Sequence, residues 1–393
     1  LEESGGDGGM MWEIAKLGKI AIIRTGKLDS NAAVIGGRYP FFTCDPNTLS
    51  IDVWAYDTEA VLLAGNNASG NYTAKYYKGK FNAYQRTYII ESANEEELNI
   101  RYLCYALNQQ LRLLKTMSSG STTKFLTVRM LDNLDIPLLG INIQTQIVNI
   151  LSAYDDLIEN NQKQIKLLEE AARRLYKEWF VDLRFPGHEN TKIVDGVPEG
   201  WRVASIADIC DTVGGGTPST KIQSYYEKGD ILWVTPTDIT RNFSLALLDT
   251  EKKITPEGLK NSSAKMLPAE TILMTSRASV GFFGMCKYEV CTNQGFISCI
   301  PKRENLQMYL LFNLKSRVEE IRQKAGGSTY LEISKTVFRE LKIILPKDEV
   351  LAEYQKNVHD IFDEIYCRTE MIKSLVDMRN RLLPKLMSGE VEV

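Results

Sequence analysis

The sequence predicts an α+β protein built twice over: a mixed α/β module, a long helix, a second similar module and a second long helix. Three observations carry this. Gly120-Ser121-Thr122 returns as Gly327-Ser328-Thr329, an offset of 207 that also takes Leu151 onto Val358, Ile158 onto Ile365, Leu168 onto Leu375 and Leu175 onto Leu382. Trp12 to Ile20 matches Trp201 to Ile209 at an offset of 189, which also takes Gly26 onto Gly215. A heptad seam follows each module. Repetition over so long a period means duplicated domains, because solenoid units are far shorter. Two similar but diverged modules suit a protein that reads two similar, non-identical targets.

Residues 1–10, glycine-rich and acidic, are set aside as a cloning remnant. The first module spans 11–141. Ala60 to Ala64 and Thr87 to Ile90 are short apolar runs bounded by turn residues and read as strands. Asn99 to Lys115 places Ile100, Leu103, Cys104, Leu107, Leu111 and Leu114 at helical spacing, predicting a helix on the sheet. Leu134 to Leu139 reads as a last strand. Within 142–186, Leu151, Tyr154, Ile158, Asn161, Ile165, Leu168, Ala172, Leu175 and Trp179 step by three and four, the pattern of a coiled-coil seam. Some 35 residues of helix make a rod of about 50 Å. Phe185-Pro186-Gly187 ends it, and 187–200 is the linker. The second module covers 201–346. Residues 347–393 carry the second seam through Val358, Ile361, Ile365, Ile372, Leu375, Leu382 and Leu386, interrupted by Arg368 and Arg379. Each rod alone would expose an apolar stripe, so the two are expected to pack as an antiparallel coiled coil with pseudo-twofold symmetry. Separate packing of each rod on its own module is the alternative.

Of the 393 residues, 44% are hydrophobic and 25% charged, which is ordinary globular composition. No run approaches the ~18 apolar residues that span a bilayer, and no charged-then-apolar leader opens the chain, so the expected compartment is the cytoplasm. Seven cysteines include no CxxC pair, and Cys286-x4-Cys291-x7-Cys299 lacks a fourth ligand at a usual spacing. Buried thiols that pack as small hydrophobes are the expectation, with no metal. Two histidines in different repeats, His188 and His359, support neither a Ser-His-Asp triad nor a histidine–metal nuclease. There is no GxGxxG cofactor loop and no Asn/Asp-Pro-Pro-aromatic motif. These absences agree with a binding protein carrying no catalytic residues.

The chemistry that stands out is basic and aromatic. From Ala60 to Ile90 there is no acid, while Lys75, Lys78, Lys80 and Arg86 alternate with Tyr72, Tyr76, Tyr77, Phe81, Tyr84 and Tyr88, beside Asn66, Asn67, Asn71, Asn82 and Gln85. Between Thr271 and Arg303 the only acid is Glu289, and Arg277, Lys287, Lys302 and Arg303 accompany Asn293 and Gln294. Cations for phosphates, with amides and Arg for base edges, are the inventory of a DNA-reading surface. A surface hairpin with aromatic cross-strand pairs would look similar, but recurrence in both modules favours the reading surface. Gly214-Gly215-Gly216-Thr217-Pro218-Ser219-Thr220 lacks the GxxxxGK[ST] register of a phosphate loop. A glycine-rich loop beside DNA, or a plain turn, fits better. The candidate DNA surface is therefore Lys27, Arg38, Lys75, Tyr77, Lys78, Lys80, Gln85 and Arg86 in the first module, and Thr217, Ser219, Lys221, Arg277, Asn293, Gln294, Ser328 and Thr329 in the second.

The chain from Trp12 onward resembles the specificity (S) subunits of type I restriction–modification systems, the HsdS family. The stretches that carry the resemblance are LLEEAARRLYKEWFVDLRFPG (Leu167–Gly187), VDGVPEGW (Val194–Trp201), GGGTPST with ILWVTPTDI (Ile231–Ile239) and SRASVGFFG (Ser276–Gly284). Others are TNQGF (Thr292–Phe296), GGSTYLEIS (Gly326–Ser334) and RLLPKLMSGE (Arg381–Glu390). GGRYPFF (Gly36–Phe42) and YYKGKFNAYQRT (Tyr76–Thr87) are similar to a variant target recognition domain. The resemblance implies two target recognition domains, each reading half of a bipartite asymmetric site in double-stranded DNA. The helical regions between them would set the spacer and recruit two modification (methyltransferase) subunits, with restriction (motor-nuclease) subunits joining the full complex. S-adenosylmethionine, ATP and Mg would then belong to those partners, and this chain would bind no cofactor. Trp179, Phe180 and Phe185, more apolar than a free helix end, are the candidate partner interface; Trp179 capping the seam within the chain is the alternative. Two rival functions remain at this point: a fused restriction or methylation enzyme, and a coiled-coil adaptor without a DNA-reading role.

Overall fold

A computed structural model describes residues 13–45, 47–67, 72–117, 124–327 and 331–393, with backbone alone at 67, 112–117 and 124. Residues 1–10, Trp12, Asn71, Gly120 to Thr122, Ser328 and Thr329 lie outside the described residues. The chain divides into two compact units, Leu1–Leu157 with Leu375–Val393, and Ile158–Ser374. Among the described residues no helix is long and apolar enough to cross a membrane.

The first unit opens with β1 (Glu13–Lys16), α1 (Leu17–Ile20), β2 (Ala21–Thr25), β3 (Tyr39–Phe42), β4 (Leu49–Ile51) and β5 (Tyr56–Ala64). After β6 (Asn66–Asn67), β7 (Ala74–Ala83) and β8 (Thr87–Ser92) come α2 (Ile100–Met117), β9 (Lys124–Phe125), α3 (Val128–Asp132) and β10 (Asp135–Leu138). Six strands form one sheet in the order β2-β8-β5-β7-β3-β4. Ala60 to Leu63 are all buried, the signature of a central strand covered on both faces. One face receives α2 through Leu103, Cys104, Leu107 and Leu111; the other closes over Phe42, Phe81 and Ile89. The main chain at the start of α2 is held by a buried glutamine, Gln144 Oε1, which accepts from Asn99 N–H at 2.9 Å.

Two long helices supply residues to both units: α4 (Ile141–Tyr176), and the last helix of the chain, Asp348–Ser388. In the first unit Leu383, Leu386 and Met387 join the core of Leu17, Ile147 and Leu151. There Arg379, an interruption of the seam, meets Asp155 at 2.5 Å. An arginine at a seam position is tolerated because the facing helix supplies its counter-charge.

The second unit contains the hairpin β11 (Ile193–Val194) and β12 (Val197–Pro198), then β13 (Arg202–Ser205), α5 (Ile206–Ile209), β14 (Cys210–Val213) and β15 (Ile231–Val234). Next come α6 (Pro236–Thr240), β16 (Lys253–Ile254), α7 (Pro256–Lys260), β17 (Ile272–Thr275), β18 (Phe283–Gly284), β19 (Cys291–Thr292) and β20 (Phe296–Pro301). The unit continues with α8 (Gln307–Ser316), α9 (Val318–Gln323), α10 (Lys335–Arg339), β21 (Lys342–Leu345) and the body of α11 (Asp348–Ser388). Ile158, Asn161, Ile165 and Ala172 are buried on α4, as are Val358, Ile365 and Ile372 on α11. The helices run antiparallel, since Tyr176 packs on Tyr354 while Asn161 meets Arg368. Phe362, Tyr366 and Thr369 are buried as well, so α11 hides a wider face than a two-helix seam needs. The excess covers the module, where Thr369 donates to Ser244 at 3.2 Å.

The duplication holds at the level of individual hydrogen-bond registers. Ala21 faces Ser92 in the first sheet, and Cys210 faces Pro301 in the second. Val61 opposite Ile90 becomes Ile272 opposite Cys299. The parallel pair Phe42–Ala83 becomes Val234–Thr292. The long β7 is represented by two pieces, β18 and β19, which keep the pairings of its two ends. Tyr102 OH donates to Pro137 O at 2.7 Å, and its counterpart Tyr309 donates to Ile344 O.

Candidate nucleic-acid interface

The turn between β7 and β8, residues Tyr84 to Arg86, is held by main chain from three sides. Gln85 N–H donates to Leu28 O at 2.8 Å, Tyr84 N–H to Phe42 O at 2.9 Å, and Gly65 N–H to Arg86 O at 2.8 Å. Gly26 N–H donates to Thr87 O at 3.1 Å. A Cβ at Gly26 would lie 2.2 Å from Ala83 O, inside any permissible contact, so the close approach demands glycine. These main-chain bonds are joined by two side chains, the Cys44 thiol donating to Arg86 O at 3.8 Å and the Thr87 hydroxyl to Phe42 O at 3.1 Å, while the side chains of Lys27, Gln85 and Arg86 stay exposed.

The second unit repeats the device. Asn293 N–H donates to Val234 O at 3.0 Å, Ser276 N–H to Gly295 O at 2.8 Å, and Gly216 N–H to Thr292 O at 2.9 Å. A Cβ at Gly215 would fall 2.1 Å from Thr292 O. The glycine-rich loop is folded onto the module rather than open as an anion cradle: Trp233 Nε1 donates to Gly216 O at 3.0 Å, and Gly214 abuts Lys335. Gln294 is exposed, and its Oε1 accepts from the Thr217 hydroxyl. Asn293 turns inward, its Oδ1 accepting from Gly295 N–H at 2.8 Å, so it shapes the turn. Arg277 follows Ser276 directly and faces Glu332 at 3.7 Å.

Lys27, Gln85 and Arg86 are thus brought together in one unit, and Thr217, Arg277, Asn293 and Gln294 in the other. The remaining candidates are more dispersed. Strand alternation puts Lys75 and Tyr77 on one face of β7 and Tyr76 and Lys78 on the other. Lys75 Nζ donates to Thr48 Oγ1 at 3.3 Å, and burial pulls its pKa down. Tyr77 packs on Phe42 and Phe81. Lys78 lies on the α2 side, 2.8 Å from Glu59. Lys80 rests over the Trp54 ring at 4.7 Å. Arg38, Ser219 and Lys221 are exposed on loops. Trp179 and Phe185 are buried, at 7% and 4% exposure, in an aromatic cluster with Phe180, Trp201, Tyr309 and Tyr354. Phe180 is half-buried within it. The sequence reading missed Lys335 and the clamping part of Gly26 and Gly215, although it had matched those two glycines.

Cys104, Cys210, Cys286, Cys291 and Cys299 are free and buried, and burial pushes the Cys291 thiol up to about 12. Glu270, His359 and Asp363 bring possible ligand atoms within 4.8 Å of one another. Lys287 pairs with Asp363 at 2.5 Å and His359 Nε2 lies 3.2 Å from Glu270 Oε2, so the group joins the module to α11.

A family model described as the type I restriction modification DNA specificity domain matches residues 10–170 and again residues 198–376. The chain belongs to that family. It is a specificity subunit of a type I restriction–modification system, the non-catalytic component of such a complex. It is 38% identical over 173 residues to the type I restriction enzyme MjaIX specificity subunit of Methanocaldococcus jannaschii, covering 43% of this chain and 39% of that one. It is 26% identical over 382 residues to the EcoDI specificity subunit of Escherichia coli, covering 89% and 81%. The solved S subunit of M. genitalium aligns over 98% of both chains with a TM-score of 0.58 at 17% identity, a likeness of fold. The two matched segments fall one on each half of the duplication.

Proposed function

We propose that this specificity subunit reads a bipartite, asymmetric site in double-stranded DNA, one half with residues 11–141 and the other with residues 201–346. The helical regions 142–186 and 347–393 set the spacer and recruit two modification subunits, and restriction subunits complete the assembly in the cytoplasm. The observation that carries this reading is the repeated turn. In each module main-chain bonds and an obligatory glycine present exposed polar side chains, Gln85 with Arg86 in one and Gln294 in the other. Rigid presentation of Gln and Arg suits base edges, while flexible lysines suit phosphates. Lys75, Lys80 and Lys221 are assigned to phosphates, with Lys27 and Arg38 flanking. Phe180, half-buried, is assigned to the partner surface, with Trp179 and Phe185 supporting it from beneath.

The test is to express the chain with its modification subunit in a host without other methylation and to sequence the methylated positions. A two-part motif with a fixed spacer is the expected outcome. Gln85→Ala should alter one part only and Gln294→Ala the other. A single continuous motif, or both substitutions altering the same part, would overturn the reading.

A further inference from the structure

The registers that relate the two sheets also relate the two glutamines. Ala83 corresponds to Thr292, Arg86 to Gly295 and, between them, Gln85 to Gln294. The counterparts differ in one respect. Among the described residues Gln85 makes no side-chain hydrogen bond, so its carbonyl and its amide are both uncommitted. Gln294 has one lone pair of its carbonyl oxygen engaged by the Thr217 hydroxyl, which ties that oxygen to Thr217 and makes the two Nε2–H donors the wholly uncommitted part of the amide.

In the major groove this difference has a defined consequence. A free glutamine amide pairs with adenine, accepting from N6 and donating to N7; an amide that offers donors alone matches guanine, whose O6 and N7 both accept. We propose that Thr217 is a specificity-determining positioning residue, which fixes Gln294 as a donor so that the second module reads a G·C pair where the first reads A·T through Gln85. This rests on the reading that the two turns face base edges. Thr217 acts through Gln294 and does not itself touch the base.

The experiment uses the full chain assembled with its modification subunits and duplexes carrying every single-base-pair variant of the methylated site. Gln294→Ala should flatten selection at one position of one half-site, a position where the wild type prefers G·C. Thr217→Val keeps the shape and removes the hydroxyl; at that same position it should raise binding of A·T relative to G·C about tenfold. Thr217→Ser, which restores the donor, should behave as wild type. If Thr217→Val leaves the G·C to A·T ratio unchanged, or the position sensitive to Gln294 prefers another pair, the role of Thr217 is refuted while the reading turn stands. If Gln294→Ala changes selection nowhere, the turn itself is misassigned and the proposal goes with it.

Discussion

Arg368 Nη1 donates to Asn161 Oδ1 at 3.1 Å, and the two residues are 207 positions apart, the offset that superposes the second half of the repeat on the first. A residue therefore touches its own counterpart. In an antiparallel helix pair that happens only where a local twofold axis crosses the seam. The polar pair sits among Ile158, Ile165, Ile365 and Ile372, where a shifted register would leave the arginine facing apolar side chains. Such a pair specifies register at some cost in stability. Asn161→Ala should destabilise the second unit by about 1–2 kcal/mol. A double-mutant cycle with Arg368→Ala should return a coupling of roughly 0.5–1.5 kcal/mol. Additive effects in denaturant titrations would show that the pair does no register work.

The end of α11 belongs to the first unit. Leu386→Ala should cost that unit about 2–4 kcal/mol, because a fully buried leucine leaves a cavity. Ending the chain after Ser374 removes Leu383, Leu386, Met387 and the Arg379–Asp155 pair together. Calorimetry of the shortened chain should show the first unit's transition lost and the second unit's retained. Two unchanged transitions would contradict the assignment.

Gly26→Ala and Gly215→Ala should each disturb one turn. The added methyl meets carbonyl oxygens, which cannot swing aside as a side chain can. Each substitution should weaken discrimination in a single half-site by roughly tenfold or more, the scale of one lost base contact, and leave the other half-site alone. Binding of half-site variant duplexes is the readout, and a uniform loss across both halves would point to misfolding instead.

The lysines of β7 should separate in salt. Removing a phosphate contact lowers the slope of log K against log salt by about one. Lys80→Ala should show that change. Lys78, already neutralised by Glu59 on the α2 side, should show a smaller one. Equal slopes for the two variants would mean that Glu59 releases Lys78 to the DNA.

Acid should act on the second unit through Glu320. Hydrogen bonds from Arg317, at 2.7 and 3.0 Å, hold its carboxyl below the usual range. A lowered folded-state pKa stabilises above the unfolded value of about 4.3 and is lost as pH falls through the folded value. The melting temperature of the second unit should decline from about pH 5 downward, less steeply in Glu320→Gln. An identical decline in the variant would exclude Glu320 as a contributor.

Much of this architecture was legible in the sequence. The seam residues Leu151, Ile158, Ile165 and Val358 are buried, and the interruptions at Arg368 and Arg379 were visible as interruptions. Their partners were not, because a contact across an antiparallel pair leaves no local spacing to read. Phe362 and Tyr366 escaped notice since a heptad template has no place for a helix that also covers a sheet. The basic stretch from Lys75 to Arg86 looked like one surface. A strand sends neighbouring residues to opposite faces, and only its final turn gathers Gln85 and Arg86 with Lys27. The kinship of Gln85 and Gln294 was hidden for another reason: insertions shift the offset between strands, so the two short segments Ala83 to Thr87 and Thr292 to Phe296 align only once their sheet registers are known.

The fastening of each turn by main-chain atoms and a glycine has a consequence for how such a protein changes over generations. None of those bonds depends on the identity of residues 85, 86 or 294, so these letters can be replaced without rebuilding the frame that displays them. On the reading proposed above, a lineage acquires a new recognition sequence by single substitutions at these positions, keeping the same folding energetics, and two halves with one ancestry come to prefer different bases.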